Sequence, residues 1–208
     1  MGSEMCIRDS GCNVEFVDYH VGAPVITENA DSKNKVVRKI EKGLETFRYR
    51  APLAHKLSFI RYKQSFAQKY MPLLEITDEM NYNPTVDCLV IGSDEVFNCI
   101  QKNSNVGYSP ELFGKNNHAK KLITHAASFG NTTLEKLEKY KKANEVGALL
   151  KKFDAISVRD ANSGTIVEQL TGKEPVYNLD PVLTYDYMNC CDRIPQIQTN
   201  EKLSLIHI

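Results

Sequence analysis

The sequence predicts an α/β fold, a Rossmann-like parallel sheet with helices on both faces. Two observations carry that expectation. The uninterrupted apolar run Cys88 to Ile91 is too short for a helix and too apolar for a strand with one wet face, which marks a buried parallel strand. Downstream of it, short strand-like runs alternate with longer helical patterns, the spacing of strand–helix–strand units. Gly92 closes the organising strand, and Ser93, Asp94 and Glu95 follow. Open α/β sheets hold their ligands in a crevice beyond the carboxyl ends of the strands, so a site is expected there.

In chain order, Asn13 to Val17 reads as a first strand closing at Asp18-Tyr19-His20, with Cys12 and Gly11 before it. His20 at the strand's end reads as an exposed or structurally bonded histidine in preference to a cleft residue. Val21 to Ser32 is loop chemistry, with Gly22, Pro24, Asn29 and Asp31. From Lys33 a helical stripe forms through Val36, Ile40, Leu44 and Phe47, and Pro52 interrupts it. A second helix carries Phe59, Tyr62, Phe66 and Tyr70 on one face and ends before Pro72. Between Lys33 and Lys69 there are eleven Lys or Arg against Glu41 and Glu45. Two readings stay open: a peripheral face for anionic lipid headgroups, which attract such residues by about 1 kcal/mol each, or a solvated basic face.

Beyond the organising strand, Asn103 to Lys121 is a long loop with room for one helical turn. Lys121 to His125 gives a strand, and Ala126 to Gly130 a small-residue exit where Ser128 and nearby amides suit an anion. An ordinary strand-to-helix turn has the same appearance. Leu134 to Phe153 reads as one helix that buries Leu134, Leu137, Val146, Leu149, Leu150 and Phe153, capped by Thr132 or Thr133. Ala155 to Val158 is a strand with Arg159-Asp160 at its end. The Arg159 guanidinium suits a carboxylate or phosphate ligand, or a structural clamp onto Asp94 or Asp180. Ala161 to Leu170 is a helix capped by Gly172, and Val176 to Leu179 a last short strand before Asp180-Pro181. Asp94, Ser128, Arg159 and Asp180 therefore each follow a different strand, and parallel strands about 4.8 Å apart bring such positions onto one rim.

Composition narrows the function classes. Across 208 residues, 42% apolar content, 25% charge and equal counts of 26 basic and 26 acidic residues fit a globular domain with no general electrostatic case for nucleic acid. No apolar run approaches the roughly 18 residues that span a bilayer, and no signal peptide opens the chain, so a cytoplasmic location is expected. The six cysteines lack metal or redox spacing, and Cys88 is expected inside the buried strand as a small apolar group. No nucleophile elbow, phosphate-binding glycine loop or paired metal-binding histidines occur. Met1 to Ser10 and Leu203 to Ile208 read as non-native segments. The domain is expected over 11–186, with 187–208 as linker and tail.

Four segments carry a resemblance. Gly92-Ser93-Asp94-Glu95-Val96-Phe97-Asn98, His125-Ala126-Ala127-Ser128-Phe129-Gly130, Ile156-Ser157-Val158-Arg159-Asp160 and Leu179-Asp180-Pro181-Val182-Leu183 resemble, in order, the signatures of the polysaccharide pyruvyl transferase family. Glu95 stands where the family has Gln, Phe97 where it has Trp and His125 where it has Tyr. The resemblance implies one half of a two-domain architecture similar to GT-B glycosyltransferases. It also implies transfer of a pyruvyl ketal from phosphoenolpyruvate to a sugar of a cell-surface polysaccharide, with that donor and no cofactor, and a sugar or lipid-linked oligosaccharide as acceptor. Gly92, Ser93, Asp94, His125, Ser128, Gly130, Arg159 and Asp180 become the expected substrate-binding residues. The donor-binding Arg and His of the family belong to its second domain, so this half is expected to be inactive alone and its catalytic residues stay unassigned. A nucleotide-sugar glycosyltransferase and a non-catalytic module are the alternatives.

Overall fold

The computed structural model describes residues 11–26, 53–72, 79–82, 84–102 and 106–184. The helix expected from Lys33 and the segments 1–10 and 187–208 lie outside the described residues. Helix α1 spans Leu53–Tyr70, as its apolar spacing predicts. Strand β1, Cys88–Asp94, is followed by a 3-10 turn at Pro110–Phe113 and by β2, Lys121–Ala127. Helices α2, Leu134–Lys139, and α3, Ala143–Leu150, lead to β3, Ser157–Val158. Helix α4, Ala161–Thr171, strand β4, Val176–Tyr177, and the short α5, Pro181–Thr184, complete the described chain.

The four strands form one parallel sheet in the order β1-β2-β3-β4. Asp94 pairs with Ala127, Ala127 with Val158 and Val158 with Tyr177, one row across the carboxyl end. Behind that row the core is continuous, from Ile91, Leu122 and Val158 on the sheet to Val146, Leu150 and Ile166 on the helices. Phe97 is fully buried and stacks on Phe113 at 4.7 Å between ring centres, with Phe129 at 5.3 Å. Aromatic pairs of this kind add about 0.5–1.5 kcal/mol beyond the area they bury.

Three expectations are corrected. Asn13 to Val17 forms no strand: the segment spends its hydrogen bonds on 79–82 instead. Asp18 N–H donates to Asn81 O at 2.8 Å, Asn81 N–H to Asp18 Oδ2 at 2.7 Å, and Asn81 Nδ2 to Phe16 O at 3.3 Å. Among the described residues β1 therefore stays at an edge of the sheet, and only Ile91 of its apolar run is buried. Cys88, the first residue of β1, is exposed and not part of the core.

The third correction concerns the stretch read as one helix, which breaks at Tyr140-Lys141-Lys142, where Lys141 adopts φ 56°. The physical reason is phase. Leu137 and Val146 are nine positions apart, about two and a half turns at 3.6 residues per turn, so an unbroken helix would point them to opposite sides. Both are buried, at 1% and 0% exposure, which requires the break. Thr133 caps α2 by accepting from Lys136 N–H at 3.4 Å.

A clasp ties the amino-terminal segment to the loop after β1. The Glu111 carboxylate accepts from His20 N–H at 2.7 Å and meets His20 Nδ1 at 3.0 Å, while the imidazole stacks on Tyr82 at 4.0 Å. Backbone also meets backbone there, since a Cβ at Gly107 would stand 1.9 Å from Gly22 O. Burial pushes the Glu111 carboxyl up, but hydrogen bonds from His20 and the Lys115 charge outweigh it and hold the pKa below its usual value. A depressed carboxylate stabilises the fold above its unfolded pKa of about 4.3 and loses that contribution as pH falls through the folded value. Glu111→Gln is expected to lower stability at pH 7 by about 1 kcal/mol and to flatten the acid limb of the stability profile below pH ~4.3. Parallel acid limbs for parent and variant in urea melts would refute the clasp.

Candidate functional site

The carboxyl rim of the sheet gathers residues from every strand. Arg159, one position beyond β3, reaches in two directions: Nη1 donates to Asp180 Oδ2 beyond β4, and Nη2 to Asp94 Oδ1 at the end of β1, at 2.8 Å. Strand β2 lies between β1 and β3, and its exit there consists of Ala126 and Ala127, both fully buried. Small side chains at that exit leave room for the long arginine to reach Asp94. The two arms differ in setting, because the Asp180 side chain is 20% exposed and that of Asp94 81%.

Electrostatics follow from this geometry. The Val182 N–H, donating to Asp180 Oδ1 at 3.0 Å, does most to hold the Asp180 carboxyl below its usual range; Arg159 and His125 add to it against the effect of burial. Burial opposes the charge on Arg159, yet the two carboxylates outweigh it and raise its pKa. Asp160 is pushed up by burial but held low by hydrogen bonds from Ser163 N–H and from the Ser128 and Ser163 hydroxyls, with Arg159 adding to them.

The remaining expected residues sit around this fork. Gly92 lies in β1 opposite His125 of β2, with φ 125° and so little room that a Cβ would meet His125 O at 2.3 Å. Ser93 is half-buried beside it, and His125 is half-buried within range of Asp180. Ser128 is 4% exposed, and its hydroxyl is engaged inside the protein: it accepts from Gly130 N–H at 2.9 Å and bonds to Asp160. Gly130, at φ 54°, gives up the space that Glu95 and Asn98 occupy. Arg159, Asp94 and Asp180 are thus brought into contact, whereas Ser128 and Gly130 belong to a neighbouring network.

That network was not singled out from sequence. Asn98 Nδ2 donates to Glu95 Oε2 at 2.9 Å, and Asn98 Oδ1 accepts from Thr132 Oγ at 3.0 Å. Ser163 Oγ accepts from Phe129 N–H and donates to Asp160 Oδ2, both at 2.8 Å. Asn162 Nδ2 donates to Thr132 O at 2.9 Å. The start of α4 is thereby pinned to the exit of β2. The legible signal was the Asp-x-x-Ser spacing of a helix N-cap, since Asp160 accepts from Ser163 N–H at 2.8 Å. Among the described residues no group of three His, Cys, Asp or Glu is placed to hold a metal ion.

The family model described as polysaccharide pyruvyl transferase matches residues 13–206, nearly the whole chain. The chain belongs to the polysaccharide pyruvyl transferase family. No curated protein and no solved structure matched in the corresponding searches. Membership in a family of polysaccharide pyruvyl transferases makes the chain a transferase by family, acting on a sugar acceptor. Its parallel four-stranded sheet with helices is an α/β fold. All four signature segments lie inside the match, and three of them meet at Arg159.

Proposed function

We propose that the chain serves pyruvyl transfer from phosphoenolpyruvate to two hydroxyls of a sugar in a cell-surface polysaccharide, and that its carboxyl rim is the acceptor-side wall. The observation that carries this reading is the Arg159 fork, which joins Asp94 to Asp180 across the sheet. Charge decides which substrate the wall suits. Asp94, Asp160 and Asp180 all lie within reach of the Arg159 guanidinium, so among the described residues the fork holds more negative charge than positive. Excess negative charge repels a polyanionic donor, whereas carboxylates accept hydrogen bonds from sugar hydroxyls.

In the proposed reaction a proton is added to the methylene carbon of the donor while an acceptor hydroxyl bonds to the adjacent carbon and gives up its proton. The second hydroxyl then displaces phosphate, which leaves with the C–O bonding pair and takes up that hydroxyl's proton. Asp94, the open carboxylate of the fork, is the base for an acceptor hydroxyl, and Arg159 positions it. The cations for the donor's phosphate and carboxylate come from outside this rim, and no cofactor is called for. The acceptor is a sugar on a lipid-linked oligosaccharide, and the reaction is cytoplasmic, in the compartment of its phosphorylated donor.

The test is an assay of the two-domain enzyme of which this half is expected to form part, with phosphoenolpyruvate and a panel of glycans, reading released phosphate and the pyruvate ketal by mass spectrometry. Asp94→Asn is expected to lower kcat/KM for the acceptor about 100-fold and to leave the donor KM unchanged. A rise confined to the donor KM would move the rim to the donor side. Phosphate release without ketal on any glycan would overturn pyruvyl transfer itself.

A further inference from the structure

Between the paired positions Ile123–Ala155 and Ala127–Val158, β2 advances four residues while β3 advances three, so β2 carries a bulge. Ala126, at φ 49°, takes it up. A bulge leaves ladder groups without their regular partners, and here they are buried: Thr124, Ser157 and Ala126 are 5%, 7% and 0% exposed. Two hydroxyls replace the missing rung. Thr124 Oγ accepts from Ser157 N–H and donates to Ser157 O, both at 2.7 Å. Ser157 Oγ donates to Thr124 O at 2.9 Å and accepts from Ala126 N–H at 3.0 Å. Main-chain groups of both strands are thus satisfied through side chains, and each hydroxyl uses its donor and an acceptor site. Just beyond this rung, Arg159 N–H donates directly to Ala127 O at 3.3 Å.

We infer that Thr124 and Ser157 are positioning residues for the acceptor-side wall: their hydroxyl rung sets the step between β2 and β3 from which Arg159 crosses β2 to hold Asp94. Bulges beside sites re-aim side chains, and the rung fixes the aim of this one. Arg159 follows Ser157 by two positions, and Asp94 pairs with Ala127, the residue directly after the bulge. A change in the step therefore reaches both ends of the Arg159–Asp94 bond. The Asp180 arm lies toward β4, on the other side of β3, and does not cross the bulge. The inference rests on the reading that Asp94 faces the acceptor, and its first readout contains no substrate.

That readout is the crystal structure of the complete enzyme carrying Thr124→Val, which keeps the side-chain shape and removes the hydroxyl. The distance from Arg159 Nη2 to Asp94 Oδ1 is expected to open from 2.8 Å to beyond about 3.5 Å, with the Asp180 arm still closed. Thr124→Ser, which keeps the hydroxyl, is expected to restore the contact. Ser157→Cys is the milder companion should Thr124→Val fail to fold: its thiol keeps a weak donor and acceptor in the rung but lengthens it, and the same arm should open. In the ketal assay, acceptor kcat/KM should fall about tenfold with donor KM unchanged. Combined with Asp94→Asn, the total loss should stay near about 100-fold, because both changes disable one group. A merely structural rung would lower the melting temperature and leave the Arg159–Asp94 distance as it is. An unchanged distance, or losses that multiply in the double variant, would overturn the inference. An arm that opens in the variants of a parent that makes no ketal would instead overturn pyruvyl transfer and uphold the rung as what aims Arg159.

Discussion

Gly92→Ala is expected to destabilise the protein by about 3 kcal/mol, combining backbone strain with an overpacked contact. At φ 125° no L side chain is comfortable, and the added Cβ would stand 2.3 Å from the carbonyl oxygen of His125. The obstacle is backbone in a paired strand, so it cannot swing aside as a side chain does. Relief requires β1 and β2 to separate at the end that carries the fork. Gly172→Ala is the matched control: φ is 74°, and nothing lies within 4 Å of the new methyl. Only the left-handed conformation is then charged, about 1 kcal/mol. At roughly 2–4 °C per kcal/mol for a chain of this size, the two variants should melt about 4–8 °C apart. Coincident melting curves would show that the close approach of Gly92 to His125 is not a constraint on the fold.

Arg159→Ala is expected to cost about 2–3 kcal/mol, the range for charge-assisted hydrogen bonds to a largely buried carboxylate. Most of that loss belongs to Asp180, whose side chain is 20% exposed. The other arm contributes little to stability, because an exposed pair is worth about 0–1 kcal/mol and the Asp94 side chain is 81% exposed. Asp94→Ala should therefore leave the melting temperature nearly unchanged while acceptor transfer falls, and Asp180→Ala should lower both. Arg159→Lys has one ammonium in place of a fork and is expected to recover only part of either effect. Equal stability losses for Asp94→Ala and Asp180→Ala in urea titrations would contradict this division of the two arms.

The parts of the site that were legible in sequence are those fixed by strand ends. Asp94, Arg159 and Asp180 each follow an apolar run, and parallel pairing alone brings such positions to one rim. What was not legible depended on which partner a side chain chose. Ser128 looks equally suited to an anion and to an internal bond, and only the approach of Asp160 and Gly130 decides it. The break at Lys141 has no Gly or Pro to announce it and follows from burying both Leu137 and Val146. Asn13 to Val17 has the alternation of a strand but finds its partners in 79–82. No apolar run in the sequence approaches a bilayer span, and no helix among the described residues is long and apolar enough to cross a membrane.

The strand order β1-β2-β3-β4 also bears on how the protein can be made. Chain order and spatial order coincide, so as the polypeptide leaves the ribosome each new strand finds its pairing edge already synthesised. None of the four has to be threaded between neighbours that have met. Closing the two arms of Arg159 spans 21 residues to Asp180 and 65 to Asp94. With loop-closure entropy growing as the logarithm of length, the nearer arm closes at about 1 kcal/mol less cost. The half of the fork that holds the fold is thus the local one, and the half that faces solvent depends on a sheet already assembled.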